Sequence, residues 1–368
     1  MVEAIANNMK YTSFLFFFLL LSCKQEKTEI PQPFTETEAQ KQIRRIMEKA
    51  AVWQLNNLAY VDGTNGWGTS VFYIGLMAAY QATGDEKYML PCLWWSAGNN
   101  WEIKQRPRNA DDQNAGQVYT ELYLTREEKE KWIADIKQAV DQMVAEPKPG
   151  WEDWFWCDAL FMAPPVFARL GKITDNQAYY DLLNVMWWDV VDFLYDHEDH
   201  LFYRDKYFIG RLNENEKKIF WSRGNGWVMG GLVRVMQYLP EDHPDYSRYV
   251  VLLQNMAEAV TQWQRTDGLW HPNLVDPQIF PTPETSGSAL ITYALTWGLN
   301  QGYLNKEKYL PIIEKAWQGL IANVSNDGKL GWMQGPAARP GATFPDETHI
   351  YGTGALLLAA SEMYKLNN

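Results

Sequence analysis

The sequence predicts an all-α fold, an (α/α)6 barrel in which six inner helices sit inside six outer ones. Three observations carry that expectation. No convincing run of alternating apolar and polar residues marks a sheet. Six segments repeat one theme: a start rich in small residues, an apolar stretch of three or four helical turns, and a polar turn. Between them lie charged, amphipathic stretches with apolar residues at helical spacing and one wet face. Helices apolar nearly all round belong inside, and amphipathic ones outside. Alternating the two six times gives a double-walled ring. A superhelical stack of helical hairpins is the rival arrangement.

Taken from the N-terminus, the first element is not part of that ring. An unbroken apolar run from Phe14 to Leu21 ends in Ser22-Cys23. It is too short to span a bilayer and matches the apolar core of a signal peptide. Its Leu-Leu-Ser-Cys ending resembles the bacterial lipobox, so residues 1–23 read as a lipoprotein signal with Cys23 as the lipidated residue; an ordinary cleaved signal peptide or a buried helix is the alternative. Met9 reads as the true start. Residues 24–36, "KQEKTEIPQPFTE", are polar and proline-bearing, a tether to one domain over 37–368. The expected location is an exported protein held to a membrane only by its lipid.

Within 37–368 the inner segments start at Gly66 ("GWGTSVFYIGLMAAYQATGD"), Ala115 ("AGQVYTELYLT") and Asp158 ("DALFMAPPVFARLGK"). The other three start at Gly224 ("GNGWVMGGLVRVMQYLP"), Thr285 ("TSGSALITYALTWGLN") and Gly352 ("GTGALLLAASEMY"). Outer stretches between them include "TEAQKQIRRIMEKAAVWQLNNL", "REEKEKWIADIKQAVDQMV", "NQAYYDLLNVMWWDVVDFLYD" and "YSRYVVLLQNMAEAVTQWQ". In such a ring the inner helices begin at one rim. Their unpaired N–H groups and positive dipole ends then suit an anionic or hydroxyl-rich ligand.

Composition narrows the ligand. A formal net charge of −12 on 368 residues argues against nucleic acid and anionic membrane surfaces. A local arginine can still dominate a pocket, because bulk charge is screened beyond roughly 8 Å. The 18 Trp and 20 Tyr favour sugar, whose C–H faces stack on rings while its hydroxyls find polar partners. Trp67, Trp154, Trp156, Trp221 and Trp227 all fall just before or at inner-segment starts. Most rings in the chain simply fill a large core. Cys92 and Cys157, the two cysteines after Cys23, read as free and buried.

Carboxylates are the candidates for chemistry. With only five histidines, and no HExxH, GxSxG or phosphate-binding loop, other centres find no motif. Asp158 follows three aromatics in "WFWCDALFM". It either caps the helix or is a desolvated acid with a raised pKa, fit to give up a proton near neutral pH. Asp111 and Asp112, in "RNADDQNAGQVY", precede the second inner segment. One of them facing Asp158 would raise its pKa further, and sequence does not say which. Arg223 stands between Trp221 and Trp227, and its planar fork matches a carboxylate bidentately. Gly224 and Gly226 let backbone come close to a neighbour.

"WCDALFMAPPVFARLGK", "LFYRD", "WSRGNGWVMGGLVRV", "DGLWHPNLVDP", "PETSGSALITYALTWGLNQGYL" and "YGTGALLLAASE" together resemble the unsaturated glucuronyl and rhamnogalacturonyl hydrolases. These are glycoside hydrolase families 88 and 105, the second the closer match. The resemblance covers nearly everything after the tether and implies the (α/α)6 barrel already counted. It also implies a substrate with a 4,5-unsaturated uronic acid at the non-reducing end, left by a polysaccharide lyase. The expected reaction hydrates the vinyl ether instead of attacking the anomeric carbon with paired carboxylates. By that resemblance Asp158 protonates C4 and directs water to C5, Asp111 or Asp112 assists, and Arg223, Trp227 and Trp156 hold the uronate. Trp67 and Gly224 fall in with the substrate contacts, no metal or organic cofactor is needed, and the chain acts as a monomer. Many relatives carry histidine where Arg204 stands in "LFYRD", which points to a different neighbouring sugar, sulfated as in ulvan or unsulfated as in pectin. A sugar epimerase on the same barrel would need histidines inside the ring. A non-catalytic glycan-binding lipoprotein would need the tryptophans but not Asp158.

Overall fold

The structure is a computed structural model that describes residues 36–58, 65–126 and 129–367. The apolar run ending at Cys23, and the tether up to residue 35, lie outside the described residues.

Helices follow one another as α1 (Glu38–Asn56), α2 (Trp67–Thr83), α3 (Glu86–Gly98), α4 (Ala110–Gln113) and α5 (Ala115–Thr125). Next come α6 (Ala134–Ala145), α7 (Gly150–Asp153), α8 (Ala159–Met162), α9 (Pro164–Thr174) and α10 (Gln177–Leu194). The last five are α11 (Ser222–Met236), α12 (Tyr246–Thr261), α13 (Thr285–Asn300), α14 (Lys306–Ala322) and α15 (Ile350–Leu366). The inner ring runs α2, α5, α9, α11, α13, α15 and closes where α15 packs on α2. The outer layer is α1, α3, α6, α10, α12 and α14. The expected (α/α)6 barrel is what forms.

Sequence dictates the two layers through exposure. Every residue of α11 and α15 is buried except Lys365 and Leu366, whereas α1 buries one face: Gln40, Ile43, Met47, Ala50, Ala51 and Gln54. A full capping box between Thr37 and Gln40 starts α1. Ring closure needs glycine. A β carbon on Gly354 would lie 2.3 Å from the Val71 carbonyl oxygen, so α2 and α15 touch backbone to backbone.

Two differences from expectation have local causes. The third inner segment is broken at Ala163, because Pro164 and Pro165 supply no N–H to continue α8 and instead start α9. One antiparallel hairpin, β1 (Tyr195–Asp196) with β2 (Leu201–Phe202), follows α10. It is too short to leave an alternating pattern. Lys218 clamps it: its ammonium lies 2.9, 3.0 and 2.6 Å from Asp196, Glu198 and Asp199.

The middle of the barrel is not wholly apolar. Arg169 on α9 and Arg234 on α11 each donate to Oε1 of Glu121 on α5, both at 2.5 Å and all three nearly without exposure. Burial alone would raise the Glu121 pKa, but Arg234 and Arg169 hold it below the usual carboxylate range. Gln117 accepts from Arg234 Nε at 2.6 Å, and Arg169 lies over the Tyr238 ring.

Candidate active site

The inner-helix starts meet at one rim. There Trp67 of α2 packs edge-on to Trp227 of α11, with ring centroids 6.2 Å apart. Trp67 also lies 4.9 Å from the Tyr351 ring of α15. Trp227 is buried against Phe161, while Trp67 keeps part of its surface open. Trp156 is 5 % exposed, and its ring meets Phe155 at 4.4 Å. Trp154 is different: it is fully buried, packed on Phe167, and belongs to the core.

Asp158 stands at the head of α8 without capping it; its side chain accepts no backbone N–H there. Its side chain is 11% exposed, with Arg204 Nε 3.7 Å from Oδ2 and the Cys157 thiol at 3.5 Å. Burial pushes its pKa up, while Arg204 and then Arg223 pull against that. Asp158 is therefore a desolvated acid facing two guanidiniums.

The pair Asp111 and Asp112 divides its work. Asn109 caps α4, and Asp112 takes up Arg106 from Nε at 3.0 Å and Nη2 at 2.6 Å, plus the Arg106 N–H at 3.0 Å. Asp111 is left half-buried. Burial first, then the charge of Asp158, push its pKa to about 7, against the pull of Arg106. Asp111, then, is the member of the pair electrostatically coupled to Asp158, and Asp112 is a structural anchor for the 106–112 loop.

Arg223 lies in the first turn of α11, 1 % exposed, and its guanidinium sits 4.4 Å over the Trp221 ring and 5.0 Å from the Tyr351 ring. Trp227, one turn further on, packs on Phe161; Tyr351 takes the second flank instead. Nη1 donates to the Gln334 carbonyl at 2.5 Å and the Tyr351 hydroxyl at 2.8 Å, and Nη2 to the Gly335 carbonyl at 2.9 Å. All three acceptors are neutral. No described carboxylate lies within ion-pair distance of Arg223, and its Nε has no partner. A buried cation without a counter-ion costs free energy unless a ligand supplies one.

Other glycines and polar groups build this seat. A β carbon on Gly224 would stand 3.0 Å from Cys157 Sγ, so what approaches this glycine is the Asp158 segment itself. A β carbon on Gly287 would come within 2.8 Å of the Arg223 N–H nitrogen, which lets α13 press against the head of α11. Asn225 clips the hairpin, accepting from Phe202 N at 2.8 Å and donating to Phe202 O. That fixes the next residues: Cys157 N donates to Arg204 O at 2.8 Å, and Trp156 bridges to Asp205.

Sequence reasoning missed four residues here. Gln334 accepts at its carbonyl from Arg223 and Tyr351, and its amide oxygen accepts from Trp221 Nε1 at 2.9 Å. Glu284, fully buried, takes the backbone N–H of Gln334 while capping α13. Tyr351 flanks Arg223. His349 stacks on Tyr351 with ring centroids 5.6 Å apart, and burial plus the Arg223 charge lower its pKa.

Acid, second carboxyl, arginine and rings converge as in a carbohydrate-processing cleft, and comparison with known proteins decides the family. The sequence model of glycosyl hydrolase family 88 matches residues 29–367. The chain belongs to that family. It is a glycosidase. It is 35% identical over 345 residues to an unsaturated 3S-rhamnoglycuronyl hydrolase of Formosa agariphila, covering 88% of this chain and 91% of that one. An unsaturated 3S-rhamnoglycuronyl hydrolase of Alteromonas sp. (strain LOR) is 34% identical over 352 residues, covering 87% and 85% of the two chains. Among solved structures, a glycosyl hydrolase family 88 protein from Bacteroides vulgatus superposes with a TM-score of 0.82 at 29% identity, over 88% of this chain and 99% of its own.

Proposed function

We propose that this family member removes a 4,5-unsaturated uronic acid from the non-reducing end of oligosaccharides released by a polysaccharide lyase. The observation that carries the reading is Arg223, a buried guanidinium with neutral partners on one side and Asp158 facing it from another. The uronate carboxylate supplies the missing counter-ion.

The chemistry follows from the charges. A proton passes from Asp158 to C4, and positive charge develops on C5 and the ring oxygen. Water adds at C5 and gives its proton to the carboxylate just formed. The hemiketal opens by breaking the bond between C5 and the ring oxygen, and the neighbouring sugar leaves from C1 as an alcohol. Arg204 and Arg223 on their own oppose protonation of Asp158. A bound uronate cancels the Arg223 field, so Asp158 becomes a better proton holder as substrate arrives. Asp111, titrating near neutrality, holds the proton for the pair and orients water. Trp67, which keeps part of its surface open, stacks on the sugar, and buried Trp227 backs it edge-on.

Loss of ultraviolet absorbance from the conjugated double bond reads the reaction directly. Asp158→Asn should cut kcat by about 10²–10⁴-fold while substrate affinity changes little. Retained turnover in that variant removes the mechanism.

For the neighbouring sugar, a rhamnose 3-sulfate of ulvan type is the reading we favour. Arg204 Nη1 is held by Asp205 at 2.7 Å, which leaves the Nη2 edge for an anion beyond Asp158. The 3S-rhamnoglycuronyl substrate in the names of both relatives agrees. Arg204→His should shift the ratio of rates toward unsulfated, pectin-derived disaccharides; an unchanged ratio removes the sulfate reading.

A further inference from the structure

Beyond Arg204 the surface opens into a second cavity of about 610 Å³, outside the residues assigned to the uronate. A cavity of that size falls within the roughly 300–1,000 Å³ of ordinary ligand sites. Its walls carry Trp151, Phe155, Phe193, Lys206 and Tyr207, with Arg204 forming the edge shared with the active site. Three of those rings are unusually open for large apolar groups: Trp151 is 45% exposed, Phe155 51% and Tyr207 72%. Aromatic rings turned to water in one groove forgo the stabilisation that burial would give, so they are surfaces suited to a ligand.

Charge on the same wall selects the ligand. The Lys206 ammonium lies 5.3 Å over the Tyr207 ring and forms no ion pair with a described carboxylate. Asp205 is already neutralised by Arg204, which leaves Glu152 as the opposing charge in the groove. Open rings beside the unpaired Lys206 ammonium match a sugar chain that bears a sulfate or carboxylate group. Continuity fixes which part of the chain. Arg204 Nε stands 3.7 Å from Asp158, and the Phe155 ring touches the Trp156 ring at 4.4 Å, so the groove begins where the leaving sugar ends.

We propose that this groove is a distal subsite for anionic saccharide units on the leaving side of the cleaved bond, with sugar faces on Phe155 and Tyr207 and an anionic substituent at Lys206. The inference rests on the reading of the active site given above and adds a length preference to it: chains of four sugars are processed better than disaccharides.

The test compares unsaturated disaccharide and tetrasaccharide fractions from a lyase digest of ulvan, using the full chain. In the double variant Phe155→Ala/Tyr207→Ala, tetrasaccharide kcat/KM should fall about tenfold, while disaccharide kcat/KM stays within about twofold. Lys206→Ala should lower the tetrasaccharide value about threefold and weaken its dependence on salt. All three side chains are exposed, and unchanged thermal unfolding confirms the fold. An equal fall on both lengths, or no fall on the tetrasaccharide, overturns the proposal. If the wild-type protein turns over neither substrate, the active-site reading fails on its own. Calorimetry then still decides the groove: tetrasaccharide binding that the double variant weakens about tenfold supports it, and equal binding overturns it.

Discussion

The barrel buries arginine in two places, and they are opposites. In its middle, Arg169 and Arg234 converge on one carboxylate from a third helix, Glu121, and are locked further by Gln117 and Tyr238. At its rim, Arg223 is as deeply buried but meets only two carbonyls, a hydroxyl and two ring faces. The first cluster satisfies itself and ties three inner helices at one depth. The second leaves a positive charge whose partner must come from outside. Burial of a cation does not by itself announce a binding site; the missing anion does.

Removing Glu121 should break the first cluster with the largest effect. Glu121→Gln leaves two guanidiniums without their carboxylate inside the barrel, a loss of about 3–5 kcal/mol. Chemical unfolding reads it directly, and kcat per folded molecule should stay near the wild-type value. A milder loss would mean water or a tyrosine hydroxyl takes over the pairing.

The same cut at the rim should behave in reverse. Arg223→Gln removes an unneutralised charge and leaves carbonyls that the amide can partly serve, so stability should change by no more than about 1–2 kcal/mol. Activity should not survive so well: kcat/KM on an unsaturated disaccharide should fall about a hundredfold or more, because the substrate carboxylate loses its partner. If Arg223→Gln unfolds like Glu121→Gln, the contrast between the two clusters is wrong and Arg223 is structural.

Both clusters were partly legible in the chain. The glycine-rich and small-residue starts of six apolar segments gave the ring its count, and the aromatic neighbours of Asp158 and Arg223 marked the rim. Other parts left weaker traces. The outer helices α3 and α14 carry Pro91 and Pro311 in their interiors, which disguises their periodicity. Tyr351 and Gln334 reach Arg223 across more than a hundred residues of chain, and nothing in "GWMQG" or "HIYGTG" points there. The choice between Asp111 and Asp112 turned on where the Arg106 side chain folds back, which spacing does not encode. Glu121, Arg169 and Arg234 could have been found: each is a lone charge inside an apolar inner segment, and such charges need one another.

The finest test lies in the protons of the rim, where the comparison becomes one of pH. Glu121 is held ionised by its two arginines, so it carries its charge through the working range. Asp111 is pushed from 3.8 to about 7 by burial and by Asp158, and the pair therefore keeps a proton at pH values where exposed carboxylates have lost theirs. The sign for activity is fixed: burial raises the carboxyl of Asp158 that gives the proton to C4, so that proton is lost as pH rises and the rate falls on the alkaline side. Asp111→Asn takes a negative neighbour away from Asp158, which then ionises more readily, and the alkaline limb should move to lower pH. Stability carries the same signature, smaller in size. A carboxyl whose pKa is raised by folding stabilises the fold below its unfolded value and loses that contribution as pH rises toward about 7. The wild-type melting temperature should therefore decline from pH 4 toward 7 more steeply than that of Asp111→Asn. A rate profile that tracks the wild type would mean that Asp111 and Asp158 titrate independently; a melting curve that does so would mean that folding does not raise Asp111.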